Sequence, residues 1–281
     1  IRNADYVTTQ LRVGQMAARR ADEYLGRRHG LIGQETTGVG GMAKALRTIP
    51  VILGIAADMD ALAKSGALLV NFTNPAGLVT QALSQHARVP SVGVCNAPIN
   101  AQRDFAARLS ASLGQTIDPA RTELKTLGLN HLTWERSVTV DGVDVLPGLL
   151  SDRLDDLADE VELAPALLAQ FGMVPSYYLR YYYAHDEVLA EQLREPSRAS
   201  AVQAIENELL GLYADPSVDT KPEALERRGG AFYSEAAVEL IAAMRGDGSV
   251  RVVNLRNDGV LPFLPDDHVI EVPARVDGAT F

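Results

Sequence analysis

The sequence is poor in cysteine, in aromatic residues and in positive charge. Of its 281 residues one is cysteine and 6% are aromatic. The chain has 26 lysines and arginines and 36 acidic residues, which gives a formal net charge of −10. The single cysteine, Cys95, excludes an intramolecular disulfide and fits a reducing compartment. The acidic balance argues against a nucleic-acid partner, which would require clustered lysine and arginine. Any anionic ligand must therefore be held by a few local arginines.

Long apolar runs and targeting signals are also missing. No stretch of about 18 apolar residues occurs, and residues 1–10 lack the basic and then apolar layout of a signal peptide. The hydrophobic fraction of 47% is nevertheless large enough to bury a sizeable core. We therefore expect a compact cytoplasmic protein that does not bind membranes.

Short apolar runs alternate with helical patterns in the first part of the chain. The apolar runs lie at residues 6–9, 68–72 and 92–94, and the helical patterns that follow them lie at 13–25, from 77 and from 99. This alternation predicts an α/β fold with a Rossmann-type parallel sheet covered by helices. Ligands bind at the carboxyl ends of such strands.

The glycine-rich phosphate turn that normally opens a dinucleotide-binding sheet is absent. The glycines of Gly38-Val39-Gly40-Gly41 have the wrong spacing and follow no strand. We therefore expect the first strand, turn and helix of the sheet to be missing from the given chain.

From about Glu123 the pattern changes to a mixed α+β second lobe. Apolar runs at 137–140 and 143–145 flank Asp141-Gly142, a strong signal for a tight hairpin. Ser197 is a candidate helix cap, and late strands are expected at 250–255 and 269–272. The predicted division is 1–122 and 123–281, with both lobes in one continuous body.

Cys95 and His131 are the candidate metal ligands. Thiolate and imidazole are good ligands for a divalent transition metal, and two protein ligands leave room for substrate oxygens and water. The alternative is a buried small apolar residue and a hydrogen-bonded histidine. The pair alone does not decide between them.

Other polar residues near the predicted strand ends could bind a ligand. Arg12 could meet a phosphate, or it could form a surface salt bridge. The glycine-rich segment at 33–41, between two helices, is long enough to wrap a ligand, or it is a plain loop. Asn74 and Asn96 suit sugar hydroxyls or a cofactor ribose, although Asn74 before Pro75 could simply form a turn.

Five tyrosines are concentrated at Tyr177-Tyr178 and Tyr181-Tyr182-Tyr183. A nearby cation could lower the pKa of one of them enough to make it a general base. Aromatic packing is the expected role of most of the five.

Taken in order along the chain, several segments resemble glycoside hydrolase family four. Five matches occur in the same order as in the family, at Gln10-Leu11-Arg12-Val13-Gly14, residues 33–41, residues 45–50, residues 72–77 and Cys95-Asn96-Ala97-Pro98-Ile99-Asn100. The resemblance continues through residues 128–132, residues 178–182, Arg228-Gly229-Gly230 and residues 264–273. It covers nearly the whole chain, although the family continues with further helical sequence after Phe281.

The resemblance implies roles for individual residues. Cys95 and His131 would bind a manganese-type divalent ion. The implied substrate contacts are Arg12, Asn74, Asn96 and Arg198. The implied contacts to NAD are Thr9, Gln10, Glu35 and Asn74. Residues 1–122 would be the remainder of the NAD-binding domain, and residues 123–281 an incomplete lobe for catalysis, substrate binding and oligomerisation.

Two residues indicate which glycoside is cleaved. Asn96 directly follows the metal cysteine. In this it resembles the 6-phospho-β-glucosidases of the family, whereas α-specific members usually carry another polar residue at this position. Tyr178 matches the position of the catalytic base in β-specific members, and Tyr177 is its immediate competitor. The implied partners are a phosphorylated sugar, such as cellobiose 6-phosphate, and further copies of the chain in a homodimer or homotetramer.

The reaction implied by the family departs from hydrolysis by two carboxylates. It combines NAD-dependent oxidation at C3, metal-assisted removal of the C2 proton, elimination of the aglycone, addition of water and re-reduction. The alternatives are a 6-phospho-α-glucosidase or another member of the family, an NAD-dependent 2-hydroxy-acid dehydrogenase, and an inactive paralogue that only binds a sugar phosphate. A dehydrogenase would not need a Cys and His metal pair.

Overall fold

The computed structural model describes residues 1–229 and 232–276. Gly230 of the Arg228-Gly229-Gly230 segment and residues 277–281 of the second predicted lobe lie outside the described residues. The described strands are β1 (Tyr6–Thr9), β2 (Leu68–Asn71), β3 (Ser91–Gly93), β4 (Thr122–Leu129), β5 (Leu132–Val140), β6 (Val143–Asp144), β7 (Val174–Pro175), β8 (Val250–Arg256) and β9 (Val269–Arg275).

Helices of very different length surround these strands. The described α-helices are α1 (Gln15–Arg27), α2 (Gly38–Leu62), α3 (Ala76–His86), α4 (Asn96–Leu113), α5 (Leu146–Asp152), α6 (Leu154–Val161), α7 (Pro165–Phe171), α8 (Arg180–Tyr183), α9 (His185–Arg194), α10 (Arg198–Tyr213), α11 (Ala224–Arg228) and α12 (Tyr233–Ala242). Helical turns of other types lie at Pro119–Arg121, Tyr177–Leu179 and Ala243–Asp247.

All described strands belong to one sheet with the order β1-β2-β3-β8-β9-β4-β5-β6, and β7 pairs with β5. β1, β2 and β3 are parallel to one another. The remaining pairs are antiparallel, beginning where β8 meets β3 at Asn254 and Gly93. The predicted fold class, a Rossmann-type parallel sheet with a mixed second part, is confirmed.

β2 is covered on both of its faces, which explains its uninterrupted apolar sequence. Leu68 and Val70 pack in a cluster with Leu240 of α12, whereas Leu69 packs on the other face with Ile52 of α2. Every residue of β2 is buried. This strand is therefore a central element of the core of the first part.

α2 is long and apolar enough to cross a membrane by length and composition alone. Its Ile52, Ala56 and Met59 are only 1–2% exposed, and they pack with Leu69 and Val79 against the sheet. Packing against the sheet therefore accounts for much of its apolar sequence.

A separate core lies in the second part. Leu124 and Val138, on β4 and β5, pack with Phe105 of α4 and with Leu157 and Leu168 of α6 and α7. The predicted hairpin is confirmed, because Asp141 and Gly142, with φ 50° and 82°, join β5 to β6. The boundary at residues 122 and 123 stays a prediction, and the two parts share one sheet through β3 and β8.

The carboxyl ends of β1, β2 and β3 meet at one edge of the sheet. The backbone N–H of Phe72 donates to Thr9 O at 2.8 Å, and that of Val94 donates to Asn71 O at 2.9 Å. The Thr9 hydroxyl donates to Asn71 Oδ1 at 3.0 Å. The residues that directly follow the three strands are therefore neighbours in space, as the parallel order predicts.

Two sequence-based expectations need correction. Residues 33–41 do not form one long loop, because α2 begins at Gly38 and only 33–37 stay irregular. A Cβ on Gly40 would collide with Gln34 O, so glycine lets this loop pack closely against the first turn of α2. α4 begins at Asn96 instead of Ile99, because Cys95 is its cap and accepts a hydrogen bond from the N–H of Ala97 at 3.5 Å.

Candidate active site

Cys95 and His131 are brought together although they are 36 positions apart in the chain. Cys95 follows β3, and His131 lies in the two-residue connection between β4 and β5. Cys95 Sγ and His131 Nε2 are 3.6 Å apart, and each residue is 4% exposed. Cys95 and His131 are therefore close enough to bind one metal ion together, as their predicted role requires.

The imidazole of His131 is held in a defined orientation. Its backbone has φ 66°, an uncommon conformation that places the side chain against Cys95. The Thr36 hydroxyl lies 3.0 Å from Nδ1, and the Ser176 hydroxyl donates to His131 O at 3.0 Å. Since the other ring nitrogen is occupied by Thr36, Nε2 is the atom directed at the thiol.

The two donor atoms have a separation suited to one metal ion. Bonds of ~2.3 Å to sulfur and ~2.1 Å to nitrogen would set the donors about 3.1 to 3.6 Å apart for angles from ~90° to ~110°. No group of three His, Cys, Asp or Glu side chains arranged for a metal occurs within residues 1–229 and 232–276. Cys95 and His131 could thus hold an ion for which the described residues arrange no third His, Cys, Asp or Glu ligand.

Burial controls the protonation of both residues. Desolvation, followed by the negative charge of Glu271, raises the pKa of the Cys95 thiol to about 12. Desolvation, followed by the positive charge of Lys44, lowers the pKa of His131 to about 4. The imidazole is therefore neutral at physiological pH, which is the form that binds a metal.

Tyr178 stacks on the imidazole of His131. The ring centroids are 3.9 Å apart and the planes meet at 14°. Burial, and then the neighbouring Cys95, raise the pKa of the Tyr178 phenol above its ordinary value. Its competitor Tyr177 is 38% exposed and accepts a hydrogen bond from Arg180 Nη1 at 2.8 Å. Of the two phenols, Tyr178 is therefore the one in contact with the candidate metal pair.

A cleft of about 1140 Å³ opens over this edge of the sheet. The predicted site residues that line it are Gln10, Arg12, Glu35, Asn74, Asn96, Tyr178 and Arg198. Cys95 and His131 do not line the cleft themselves, but His131 is contacted by the lining residues Thr36 and Tyr178, and Cys95 is in turn in contact with His131. Thr9 is buried beneath Asn71 and does not line the cleft.

Glu35 lies at the centre of a cluster of cations. Its Oε2 accepts from Arg12 at 2.6 Å and from Lys44 at 2.7 Å, and its Oε1 is 3.1 Å from Arg19 Nη1. Burial alone would raise the pKa of Glu35, but the three cations outweigh it and lower the pKa to about 2. Arg19 also pairs with Glu23 at 2.8 Å, so three cations face two carboxylates.

This cluster can receive an anion, because one positive charge is in excess and the cleft reaches Arg12, Arg19 and Lys44. Both oxygens of Glu35 are engaged by the cations. The predicted contact of Glu35 with a cofactor stays a prediction.

The remaining predicted contacts lie at different points of the cleft wall. Asn74 lies three residues after the end of β2, and its Oδ1 accepts a hydrogen bond from the N–H of Ala76 at 3.3 Å. Asn96 is the first residue of α4, directly beside Cys95. Arg198 follows the Ser197 cap, which accepts from the N–H of Ser200 as predicted, and its guanidinium donates to Arg227 O and Arg228 O at 3.3 and 3.4 Å. The structure brings all three to one cleft.

Three residues of the site were missed by sequence reasoning. Thr36 orients His131, whereas Arg19 and Lys44 complete the cation cluster. Lys44 offered a signal, because it is a charge inside an apolar helix, and such a charge has to be paired when the helix is buried. Thr36 offered none, since its bond to His131 joins residues 95 positions apart.

Comparison with known proteins places these residues in a family. The model described as family 4 glycosyl hydrolase matches residues 1–111, and that of the family 4 glycosyl hydrolase C-terminal domain matches residues 126–281. A probable 6-phospho-beta-glucosidase of Bacillus subtilis (strain 168) is 41% identical over 285 residues, which are 97% of this chain and 63% of the relative. The 6-phospho-alpha-glucosidase 1 of Lacticaseibacillus paracasei is 28% identical, over 96% of this chain and 64% of the relative.

A solved structure agrees with these sequence comparisons. The 6-phospho-beta glucosidase of Thermotoga maritima, in a structure with manganese, NAD+ and glucose-6-phosphate, matches with a TM-score of 0.89 and 35% identity, over 99% of this chain and 65% of that one. The chain thus spans less than two thirds of the length of each of these three relatives. The two family matches together cover most of its residues, and the chain belongs to family 4 of the glycosyl hydrolases.

Proposed function

We propose that the protein hydrolyses 6-phospho-β-glucosides, with NAD+ and a divalent metal ion such as Mn²⁺ as cofactors. The observation that carries this proposal is the 3.6 Å approach of Cys95 Sγ to His131 Nε2, with Tyr178 stacked on the same imidazole. Removal of a proton from a carbon beside a sugar oxygen requires a metal ion to stabilise negative charge and a base to take the proton. Cys95 and His131 would bind the ion, and the phenol of Tyr178 would be the base. A homo-oligomer in the cytoplasm is part of the proposal.

Cys95 and His131 would hold the metal, and Gln10 and Asn74, after β1 and β2, would contact the cofactor. The metal supplies Lewis-acid chemistry, which favours the anionic forms of sugar oxygens and of a neighbouring phenol. NAD+ supplies reversible hydride transfer at a sugar carbon. Binding at the carboxyl ends of parallel strands agrees with the general rule for α/β sheets.

The sugar phosphate would be held by arginines and by side-chain amides that line the cleft. Arg12 lies in the cluster with excess positive charge, and Arg198 adds a second guanidinium to the wall. Both present planar donors that suit phosphate oxygens. Asn74 and Asn96 can donate to and accept from sugar hydroxyls.

Tyr178 would take the proton from C2 of the sugar. Its contact with His131 sets the phenol beside the two proposed metal ligands, where it also lines the cleft that would hold the sugar. Tyr177 is turned towards Arg180, which argues against it as the base. Once C2 has lost its proton, the bond from C1 to the aglycone would break by elimination, without a second catalytic carboxylate. Addition of water to C1 and return of a proton to C2 would complete the hydrolysis.

The β preference rests on Asn96 and on the names of relatives. The 41% identity to a relative named as a probable 6-phospho-beta-glucosidase exceeds the 28% to one named as a 6-phospho-alpha-glucosidase. Asn96 directly follows the metal cysteine. Both observations favour the β anomer.

The test is release of nitrophenol from the two anomers of p-nitrophenyl glucoside 6-phosphate by full-length protein under reducing conditions. NAD+ and Mn²⁺ are each supplied or omitted. The proposal expects turnover of the β anomer that needs both additions. No release from the β anomer, despite binding of NAD+, would refute it.

A further inference from the structure

The cleft extends past the proposed sugar and metal residues along one face of α4. Asn96, Asn100, Asp104 and Arg108 recur every four residues, and all four line the cleft. With a rise of about 1.5 Å per residue, Asn100 lies about 6 Å and Asp104 about 12 Å from Asn96 along the helix axis. This polar stripe therefore leads away from Cys95 by more than the length of one sugar ring.

The floor beside this stripe is apolar. Phe105 of α4, Leu157 and Val161 of α6, and Val174 of β7 line the cleft and belong to one packed cluster. Small apolar surfaces of this kind can cover the C–H face of a sugar, while polar groups at the rim bind its hydroxyls.

Glu135 places a buried carboxyl in the same region. It is opposite Val174 in the pairing of β5 with β7, it is 8% exposed, and it lines the cleft. The Thr126 hydroxyl lies 2.8 and 3.0 Å from its two oxygens. A hydroxyl has one proton, so acceptor capacity on Glu135 is left over for a ligand.

The charges nearby leave Asp104 available as well. Arg108 donates to Glu160 Oε2 at 2.8 Å, which engages its guanidinium. Asp104 is exposed to the cleft, and among the described residues no side chain donates a hydrogen bond to it. Asp104 of the stripe and Glu135 of β5 therefore offer hydrogen-bond acceptors at two points of the cleft, and neither is used by the proposed chemistry.

We propose that Asn100, Asp104 and Glu135 form the subsite for the leaving group, and that this subsite selects a sugar over an aryl aglycone. The inference rests on the proposed function, because it assigns the part of the substrate beyond C1. Hydroxyls of a second sugar can hydrogen-bond to the carboxyl oxygens of Asp104 and Glu135. An aromatic ring would bury them without a donor, which is costly for polar groups.

The experiment compares the affinities of the full-length protein for two ligands, with NAD+ present and Mn²⁺ omitted so that the disaccharide is not hydrolysed during the measurement. One ligand is cellobiose with phosphate on C6 of its non-reducing glucose, and the other is glucose 6-phosphate, which lacks the second sugar. The variants are Asp104→Asn and Glu135→Gln, both similar in shape to the native side chain. The control is Asp159→Asn, an exposed carboxylate of α6 that does not line the cleft.

The wild-type protein and Asp159→Asn should bind the disaccharide at least about tenfold more tightly than glucose 6-phosphate, and each subsite variant should reduce that ratio by about tenfold. A wild-type ratio near one, or variants that weaken both ligands equally, would overturn the subsite. Turnover is read separately. Lack of hydrolysis of any β-glucoside, with the affinity ratios as expected, would refute the proposed function and leave the subsite standing.

Discussion

The imidazole of His131 is covered by the ring of Tyr178, with 3.9 Å between the ring centroids. One face of the histidine thus meets a phenol, its Nε2 meets Cys95 Sγ, and its Nδ1 meets Thr36. A single buried side chain connects the candidate metal ligand, the candidate base and the loop that precedes α2. The roles of these residues can be separated by substitution.

Tyr178→Phe keeps the stacked ring and removes the hydroxyl. We expect kcat to fall by about 10²- to 10⁴-fold, as for other general bases, with Mn²⁺ affinity retained. Tyr177→Phe and the exposed Tyr182→Phe serve as matched controls, measured with p-nitrophenyl β-glucoside 6-phosphate. A larger loss of kcat in Tyr177→Phe than in Tyr178→Phe would exchange the two roles.

Metal binding should depend on the buried pair and on the threonine behind it. His131→Gln and Cys95→Ser should each weaken Mn²⁺ binding by about a hundredfold or more. Thr36→Val should weaken it by about tenfold, because a residue that only orients a metal ligand contributes less to the affinity than the ligand itself. Titration calorimetry measures all three against His86→Gln, an exposed histidine at the end of α3. Equal affinities in His131→Gln and His86→Gln would remove His131 from the metal site.

Glu35→Gln should destabilise the fold strongly. The substitution leaves Arg12, Arg19 and Lys44 close together without their shared counter-ion, and loss of one partner from a buried charge cluster costs about 3–5 kcal/mol. The control Asp5→Asn breaks the exposed pair with Lys64, which should change the free energy of unfolding by less than about 1 kcal/mol.

Urea unfolding measures both Glu35→Gln and its control, with and without inorganic phosphate. Phosphate should restore part of the stability of Glu35→Gln, since it can neutralise the cations. Equal small losses in the two variants would show that the cluster does not need Glu35.

Glu135 should make the stability depend on pH. Burial, assisted by the charge of Glu271, raises its pKa to about 7 from the ordinary 4.5. The folded state then holds a proton that the unfolded state has lost, so the contribution of Glu135 to stability falls as pH rises from about 4.5 through about 7. Between pH 5 and pH 8 the free energy of unfolding of the wild-type protein should fall by about 1–3 kcal/mol relative to that of Glu135→Gln. Parallel pH profiles of the two proteins in urea unfolding would contradict the assignment.

The order of elements was readable from the sequence because it depends on local patterns. β1, β2 and β3 are short runs rich in apolar residues in front of helices, and Asp141-Gly142 supplies the turn conformation that a hairpin needs. The insertion of β8 beside β3 was not readable, because Asn254 and Gly93 pair across 161 positions and no local signal specifies the partner of a strand.

The site was predictable only in part for the same reason. Cys95 and His131 stood out by their chemistry, and their 3.6 Å approach agrees with the pairing inferred from resemblance. Lys44 was recognisable only as a charge inside an apolar helix, and its pairing with Glu35 was not recognisable. Glu135 gains its character from burial beside particular neighbours, which the order of residues does not reveal. The start of α4 was misplaced because a cysteine is an unusual helix cap.

The most direct test of the proposed chemistry is the fate of the proton on C2. Full-length protein is incubated with NAD+, Mn²⁺ and p-nitrophenyl β-glucoside 6-phosphate in D₂O, and any glucose 6-phosphate formed is examined by NMR. If Tyr178 removes this proton and exchanges it with solvent, the product carries deuterium at C2. A product that keeps its original hydrogen at C2 throughout would contradict the account.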